Sequence, residues 1–363
     1  MIKKLKRFTL RLIAGANVAT ILAMMVAGFS GRISPATLPS LANLGLFLPA
    51  FILINAAFLV FFLLFKARWA LIPIAGFLLC YGPIRTYFPI NLGTKAEGAD
   101  LKVMSYNVWL FAGWEYRDQP NPIYQYIIDQ EADIVCLQEA GSQEVKKQAE
   151  LKAAIRKMYP HRKTSALGKN GDVLACYSKY PILKQEEIEY ESKNNHSTAF
   201  FLNVEGDTVI VVNNHFQSIG LTSQEKSDFK KIVKGDLKRQ EAEKESKKLI
   251  SRLNEASKTR APQVDAVARF VDRHRGKSII LCGDFNDGPN SYAHHTLARR
   301  LTDCYVESGN GPGTSYNKNG FYVRIDNIMC SDHWTPTKCI VDKKINASDH
   351  YPVVCWLKKT HKR

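Results

Sequence analysis

Three long apolar runs occupy the first quarter of the chain. They cover residues 12–31, 41–65 and 69–84, and none of them contains a charged residue. Each approaches the roughly 20 residues that a helix needs to cross the hydrocarbon core of a bilayer. The pattern therefore predicts three transmembrane helices, of which the third is the shortest and contains Pro73 and Pro83.

Basic residues flank these runs unevenly, which predicts an orientation. The segment before the first run is rich in Lys and Arg, Lys66 and Arg68 lie between the second and third runs, and the loop between the first two runs has only Arg32. Because cytoplasmic flanks carry the excess of positive charge, the N-terminus is expected inside and everything after about residue 90 outside.

Two other interpretations of this region stay open. The first run, with its basic start and small residues at 27–31, also fits a cleaved signal peptide. With only two true spans, the rest of the chain would face the cytoplasm. Seven of the eight cysteines lie beyond the third run, an odd number without CxxC or Cys/His zinc spacing. This usage favours a reducing compartment and so argues against the orientation that the charges predict.

Beyond a linker at 91–100, short apolar runs alternate with helix-like periodicity. Several of the short runs are apolar on both faces, as expected of strands buried in a layered α/β domain that extends over 101–358. Helices are predicted at 121–130, 143–158 and 262–274. Strands are predicted at 101–108, 133–139, 171–178, 198–205, 208–216, 277–285, 322–330 and 349–357.

The net charge of +16 is distributed unevenly over the 363 residues. Residues 1–95 hold ten Lys or Arg and no acidic residue, so the remaining 268 residues carry 40 basic against 34 acidic side chains. Bulk charge is therefore weak support for a polynucleotide partner. An insertion at 225–260 has twelve basic and seven acidic residues. It is interpreted either as a solvated helix or helix pair, or as a basic arm for anionic lipid or nucleic acid.

Polar side chains suited to metal binding or proton transfer recur where predicted strands end or begin. A single carboxylate in such a place is usually a turn former, but six groups in one domain indicate a shared cleft. The groups are Asn107 in SYN, Glu139 in LQE, His215 in NNH, Asp284 with Asn286 in GDFN, Asp326 in RID, and Asp349 with His350 in SDHYPV.

This ordered series of motifs resembles the endonuclease/exonuclease/phosphatase superfamily of metal-dependent phosphoesterases. The resemblance covers about residues 100–358. It implies an α/β (α+β) fold, a four-layered αββα sandwich of two mainly antiparallel sheets, here preceded by transmembrane helices, with the active site at one edge of the sandwich. It also implies that Glu139, aided by Asn107 and Asp349, binds Mg²⁺, for which Mn²⁺ is an alternative. Oxygen ligands suit such hard cations better than they suit Zn²⁺.

The resemblance further implies catalytic roles for five residues. Asp284 is expected to deprotonate the attacking water, and Asn286 to hold water or phosphate in line. His350 is expected to bind the scissile phosphate, with Asp326 orienting its ring and favouring the protonated form. His215 is expected to stabilise the leaving group or a phosphoryl oxygen. One departure is Asn327, which stands where the family commonly has an aromatic residue.

The expected function is that of a membrane-anchored, Mg²⁺-dependent phosphodiesterase whose substrate is a nucleic acid or a lipid headgroup. Alternatives are a phosphomonoesterase of the same superfamily, a catalytically silent membrane-bound binding module, and a transport or signalling protein with an accessory soluble part. The expected partners are the phosphate-ester substrate and, through the N-terminal helices, the lipid bilayer. The sequence indicates no oligomeric state. The other seven histidines have no motif context and are expected to be solvated.

Overall fold

The N-terminal region of the computed structural model is helical. The structure describes residues 2–141, 148–168, 171–318 and 322–360. The helices of this region are α1 (Ile2–Phe29), α2 (Pro39–Ala42), α3 (Leu48–Phe65), α4 (Leu71–Leu79) and α5 (Tyr81–Tyr87). Two segments, Lys4–Arg32 and Pro39–Phe65, are long and apolar enough to cross a membrane. The third predicted span is a helix pair, Ala67–Leu79 and Tyr81–Tyr87, bent by 65°.

A polar contact joins the first two apolar helices. The side chain of Asn17 in α1 donates to Asn55 Oδ1 in α3 over 2.8 Å, and both residues are buried. Inside a hydrocarbon layer no water is available to bond to these two amide groups, so they bond to each other. This bond fixes the register of the two helices.

Two six-stranded sheets follow the helical region. In the first sheet the strand order is β11-β12-β1-β2-β4-β3, and in the second it is β5-β6-β7-β8-β10-β9. The strands are β1 (Leu101–Asn107), β2 (Ile134–Gln138), β3 (His161–Ala166), β4 (Val173–Ser178), β5 (Ile182–Glu187), β6 (Ser197–Val204), β7 (Asp207–His215), β8 (Ser278–Asp284), β9 (Thr302–Asp303), β10 (Asp326–Cys330), β11 (Trp334–Val341) and β12 (Val353–Lys359).

Each sheet contains one parallel strand pair, and all its other pairs are antiparallel. The parallel pairs are β1 with β2 and β7 with β8, so the carboxyl ends of these four strands lie at corresponding edges of the two sheets. The expectation of two mainly antiparallel sheets is confirmed.

Helices cover the outer faces of the sheets. The first sheet is covered by α6 (Pro122–Gln130) and α7 (Ala149–Met158), and the second by α9 (Arg239–Arg273) and α10 (Tyr292–Ala298). Two further helices are α8 (Ser223–Lys234) and α11 (Cys304–Ser308). Apolar residues from the inner faces of both sheets form a central core. The four-layered αββα sandwich is therefore confirmed.

The eight predicted strands are all present, with ends that differ by a few residues. The predicted helix at 262–274 corresponds to the last third of α9, which begins inside the charged insertion. Of the predicted helix at 143–158, residues 143–147 lie outside the described residues. The strands that were not predicted are β3, β5, β9 and β11. All eight cysteines are buried free thiols, and Cys136, Cys282, Cys330 and Cys355 belong to the central core.

The loop between α1 and α3 contacts the sandwich domain closely. A Cβ atom placed on Gly45 would lie 2.5 Å from the carbonyl oxygen of Asn290, and one on Gly31 would lie 2.6 Å from that of Ser291. Only glycine allows the two backbones to approach in this way. Asn43 also bonds to Asn254 and Ser257 of α9.

We predict that Gly45→Ala destabilises the full-length protein. The new methyl group would clash with the carbonyl oxygen of Asn290, which belongs to the backbone and cannot rotate away as a side chain could. The expected cost is about 1–3 kcal/mol, seen as a lower melting temperature by calorimetry in detergent. Gly15→Ala is the matched control, since its methyl group would enter open space. An unchanged melting temperature for Gly45→Ala would show that the contact between the loop and the sandwich domain does not stabilise the protein.

Candidate active site

The predicted site residues gather at one edge of the sandwich because of strand direction. Asn107 ends β1 and Glu139 follows β2, whereas His215 and Asp284 end β7 and β8. Parallel neighbours end at the same edge of their sheet, so each pair brings two polar side chains together.

The remaining two groups reach this edge from antiparallel strands. Asp326 begins β10 and lies directly opposite Asp284. His350 precedes β12, whose start pairs with the end of β1. An antiparallel strand begins where its neighbour ends, so these residues join the same edge.

Gly283 makes the row of side chains possible. It has a φ of +130°, and a Cβ atom there would lie 1.9 Å from the carbonyl oxygen of Asn214. Asn214 pairs with Gly283 and His215 pairs with Asp284 in the same register. The glycine in GDFN thus lets the neighbouring backbone come close enough for His215 and Asp284 to meet.

His350 is held by a carboxylate. Its Nδ1 lies 2.8 Å from Asp326 Oδ2, and its Nε2 lies 3.7 Å from Asp284 Oδ2. The backbone N–H groups of Ile325 and Asp326 both donate to the Ser315 hydroxyl, which fixes the start of β10. The orienting contact expected between Asp326 and His350 is present in the structure.

His215 has a carboxylate partner that the sequence analysis missed. Its Nδ1 lies 2.8 Å from Asp172 Oδ2, and its Nε2 lies 3.7 Å from Asp284 Oδ2. Asp172 Oδ1 accepts the backbone N–H of Glu139 over 3.1 Å, so one carboxylate ties two site residues together. The signal was a carboxylate at the start of the predicted strand 171–178, because strand starts and ends also selected the other residues.

Glu139 and Asn107 form the oxygen-rich side of the site. The amide nitrogen of Asn107 donates to Glu139 Oε1 over 3.1 Å and to Asp284 Oδ2 over 3.2 Å. Two carboxylates therefore converge on one point, and Glu139 is partly exposed. Carboxylate oxygens are the ligands that a hard divalent cation prefers, so Glu139 and Asp284 fit Mg²⁺ or Mn²⁺. The Asn107 Oδ1 atom accepts the Trp109 backbone N–H over 3.1 Å.

A second group offers ligand atoms for a metal. One atom each of Asp284, Asp326 and His350 lies within 4.8 Å of the others, and all three residues are buried. The site thus has two places where a cation is chemically acceptable, one beside Glu139 and one within this group of three.

Asn286 and Asp349 lie at the site but make other contacts. The Asn286 backbone N–H donates to Asp284 Oδ1 over 2.7 Å, while its side-chain amide donates to the Phe216 carbonyl. Asp349 is partly exposed, and its carbonyl accepts the Asn317 N–H. The structure gives no contact between the Asp349 side chain and Glu139, so its role as a metal ligand stays a prediction.

The balance of burial and charge raises the pKa of both imidazoles. Burial alone lowers the pKa of His350, but Asp326 and Asp284 outweigh it and raise the pKa to about 10. Burial likewise opposes the charge of His215, and Asp172, Asp284 and Glu139 raise its pKa to about 10. Burial together with Asp326 raises the pKa of Asp284, so this carboxyl holds a proton better than an ordinary aspartate does.

Of the seven histidines expected to be solvated, His361 lies outside the described residues, and two of the other six are buried, which corrects that expectation. His294 Nε2 lies 2.6 Å from Asp303 Oδ2, and His196 Nδ1 lies 3.8 Å from Asp172 Oδ2. Asn327 is also buried, where it donates to the Ile325 carbonyl. Asp326 keeps its place opposite Asp284 despite this departure from the motif.

A four-layered sandwich with carboxylates and imidazoles at one edge is the architecture of a phosphoester hydrolase. The chain belongs to the endonuclease/exonuclease/phosphatase family, whose sequence pattern matches residues 104–350. Members of this family are hydrolases that act on phosphoesters. A second family, described as a domain of unknown function (DUF8431), matches residues 10–87. None of the curated proteins compared with the chain matches it.

Several solved structures are similar to the chain. A protein described as an endonuclease/exonuclease/phosphatase from Beutenbergia cavernae is 19% identical over 72% of each chain, with a TM-score of 0.48. The human Nocturnin catalytic domain is 17% identical over 72% of this chain and 94% of its own, with a TM-score of 0.49. Sphingomyelinase C from Streptomyces griseocarneus is 18% identical over 70% of this chain and 98% of its own, with a TM-score of 0.45.

We predict that Asp172→Asn lowers kcat on a phosphoester substrate by about 10- to 100-fold. The change removes a charge-assisted hydrogen bond worth about 1.5–3 kcal/mol, and each 1.4 kcal/mol is a factor of ten. Without Asp172 the pKa of His215 falls, so the loss should grow between pH 7 and pH 9. Asp207→Asn, on an exposed strand end, is the control. A loss that does not vary with pH would assign Asp172 a structural role only.

Proposed function

We propose that the protein is a Mg²⁺-dependent phosphodiesterase that hydrolyses its substrate by in-line attack of water. The observation that carries this proposal is the position of Asp284. Its Oδ2 atom lies 3.7 Å from the Nε2 atoms of both His215 and His350. A buried carboxylate between two cationic rings is suited to hold a water molecule beside an anionic phosphate.

Asp284 is the proposed general base. Its Oδ1 atom is occupied by the Asn286 backbone N–H, and its Oδ2 atom faces the two imidazoles and the Asn107 amide. A base is most effective when its pKa lies near the working pH, and burial moves the pKa of Asp284 in that direction. In this assignment Asn286 fixes the base through its backbone.

The two imidazolium rings are the proposed phosphate and leaving-group contacts. Each Nδ1 atom is bonded to its own carboxylate, so each Nε2 proton points toward Asp284 and the cleft. His350 would bind a phosphoryl oxygen, and His215 would donate a proton to the departing alkoxide. The orienting carboxylates hold both rings so that neither has to reorganise during the reaction.

Mg²⁺ is assigned to the oxygen-rich side, held by Glu139 and Asn107, with Asp349 as a further expected ligand. When bound, the ion neutralises phosphate charge and stabilises developing negative charge on oxygen. The group formed by Asp284, Asp326 and His350 is thereby left for proton transfer and phosphate binding. The same geometry would serve a phosphomonoester, so the comparison of a diester with a monoester substrate decides between the two.

We predict that Asp284→Asn and His350→Ala each lower kcat by at least about 100-fold while the fold stays intact. Full-length protein in detergent is assayed on bis-nitrophenyl phosphate and nitrophenyl phosphate, with circular dichroism as the fold check. The controls are Asp207→Asn and His333→Ala, which lies in the turn between β10 and β11. Near-normal rates for both active-site variants would refute the assigned roles, and faster monoester hydrolysis would identify a phosphatase.

We predict that EDTA abolishes activity and that Glu139→Gln raises the Mg²⁺ concentration for half-maximal rate by at least about tenfold. Asp326→Asn is the comparison, because it should lower kcat with little change in the Mg²⁺ requirement. If Asp326→Asn shifts the Mg²⁺ titration more than Glu139→Gln does, the metal belongs to the group of three instead.

We also propose a three-span topology with the catalytic domain outside the cytoplasm. The loop between α1 and α3 contacts Asn290 and α9, so loop and catalytic domain share one side of the membrane. After α3 the chain must therefore cross once more, through α4 and α5. The basic N-terminus and Lys66 with Arg68 then lie in the cytoplasm.

Reporter fusions test this arrangement. We predict that alkaline phosphatase, which is active only outside the cytoplasm, is active when fused after residue 363 and inactive when fused after Arg68. An inactive C-terminal fusion would place the catalytic domain in the cytoplasm. An active fusion after Arg68 would then mean three spans of reversed orientation, and an inactive one would mean two spans.

A further inference from the structure

We propose that the substrate is a phosphodiester lipid of the same bilayer that holds α1 and α3. This inference rests on the proposed phosphodiesterase function and names its substrate class. It is based on one observation: the loop that contains Asp284 and Asn286 is in direct contact with the membrane-proximal loop between α1 and α3. Residues 284–291 are called the catalytic loop below, and residues 30–47 the interfacial loop.

The first step is the distance between the site and the bilayer. Leu46 lies two residues before α3, and its Cδ2 atom is 3.8 Å from the position of a Cβ atom on Gly288. Gly288 is only four residues from Asp284, so the chain between them spans at most about 14 Å. The headgroup layer is about 5–8 Å thick on each side of the hydrocarbon core. The base therefore stands next to that layer.

The second step is that the catalytic loop is fixed in this position. The Asn290 side chain donates to the Pro83 carbonyl of α5 over 3.1 Å, and its own carbonyl approaches Gly45. On the other side, Asp287 pairs with the buried Arg260 of α9 over 2.6 Å. The site is thus attached to the ends of the membrane helices and cannot swing toward bulk solvent without breaking these contacts.

The third step is the apolar surface around the site. Leu46 and Phe47 of the interfacial loop are exposed. Leu110 and Trp114 are also exposed, and the Leu110 N–H donates to the Glu139 carbonyl, so an apolar rim adjoins the oxygen-rich side. Exposed apolar patches beside a polar site suit an amphiphile, whose diester meets the charged groups while its chains stay in the bilayer.

The fourth step is the charge of α8 and the first half of α9. Most of α8 and the first half of α9 lie within the stretch 225–260, which has twelve basic and seven acidic residues. Asn254 of α9 bonds to Asn43 and Ser40, so this basic surface begins beside the interfacial loop. Basic residues near a membrane surface are attracted to anionic headgroups.

The reaction on such a lipid is balanced with water alone. The water oxygen forms a bond to phosphorus as the bond from phosphorus to one ester oxygen breaks. Asp284 takes the proton of the water, and the departing alkoxide takes a proton from His215. The products are an alcohol and a phosphate monoester, one of which stays in the bilayer.

The test uses the full-length chain reconstituted with Mg²⁺ into phosphatidylcholine, phosphatidylethanolamine or phosphatidylglycerol vesicles. A trace of labelled lipid is placed either in the protein's own vesicles or in separate ones, and products are identified by phosphorus NMR. We expect cleavage at least about tenfold faster when the label shares the protein's bilayer. Bis-nitrophenyl phosphate and single-stranded and duplex DNA are assayed in parallel.

Variants locate the effect at the interfacial loop. For Leu46→Asp and Phe47→Asp we expect the ratio of lipid to bis-nitrophenyl phosphate hydrolysis to fall at least about fivefold. Leu183→Asp, an exposed leucine of β5, is the matched control and should leave this ratio unchanged.

The outcomes separate the two levels of the proposal. Faster cleavage of DNA than of any lipid, or equal cleavage of label in separate vesicles, overturns the lipid substrate while bis-nitrophenyl phosphate turnover upholds the phosphodiesterase. Absence of turnover on every substrate, bis-nitrophenyl phosphate included, overturns the phosphodiesterase itself.

Discussion

The register of three neighbouring strands is the constraint on which the site depends. It sets His215, Asp284 and Asp326 in one row across β7, β8 and β10. All three side chains are out of water, where an isolated charge costs several kcal/mol. The row is tolerable because each carboxylate has a cationic ring beside it. A slip of one residue in any strand would turn a member of the row to the other face of its sheet and leave the others without charge compensation.

Much of the fold was predictable from the chain because its buried strands are apolar. The strands that escaped prediction are β3, β5, β9 and β11. β3 and β5 lie at sheet edges and are largely polar and exposed. Their hydrogen bonds come from neighbours distant in sequence, and no local pattern reports such pairing. The stretch 225–260, interpreted from the sequence as a helix or helix pair, forms most of α8 and the first half of α9, and this polar first half continues a helix that is packed on the second sheet.

For the site, sequence reasoning identified the residues at strand ends but not all of their partners. Asp172 directly precedes β4. Because β4 pairs with β2 in antiparallel orientation, Asp172 lies at the carboxyl end of β2, beside Glu139. His294 and Asp303 are a similar case, because a turn between α10 and β9 brings them together. Both contacts depend on the topology of the fold. Neither contact can be inferred from the type of the residue or from its neighbours in the chain.

The close approach at Gly31 and Gly45 also bears on how such a protein can change over evolutionary time. Two sequence families meet in this chain, one over residues 10–87 and the other over residues 104–350. Where the two halves meet, their backbones are in close contact, so neither half could bind an unrelated replacement of the other equally well. Swapping in an anchor from an unrelated protein would forfeit the fit at two glycines at once. The two halves are therefore expected to be inherited together and to vary in concert where they touch.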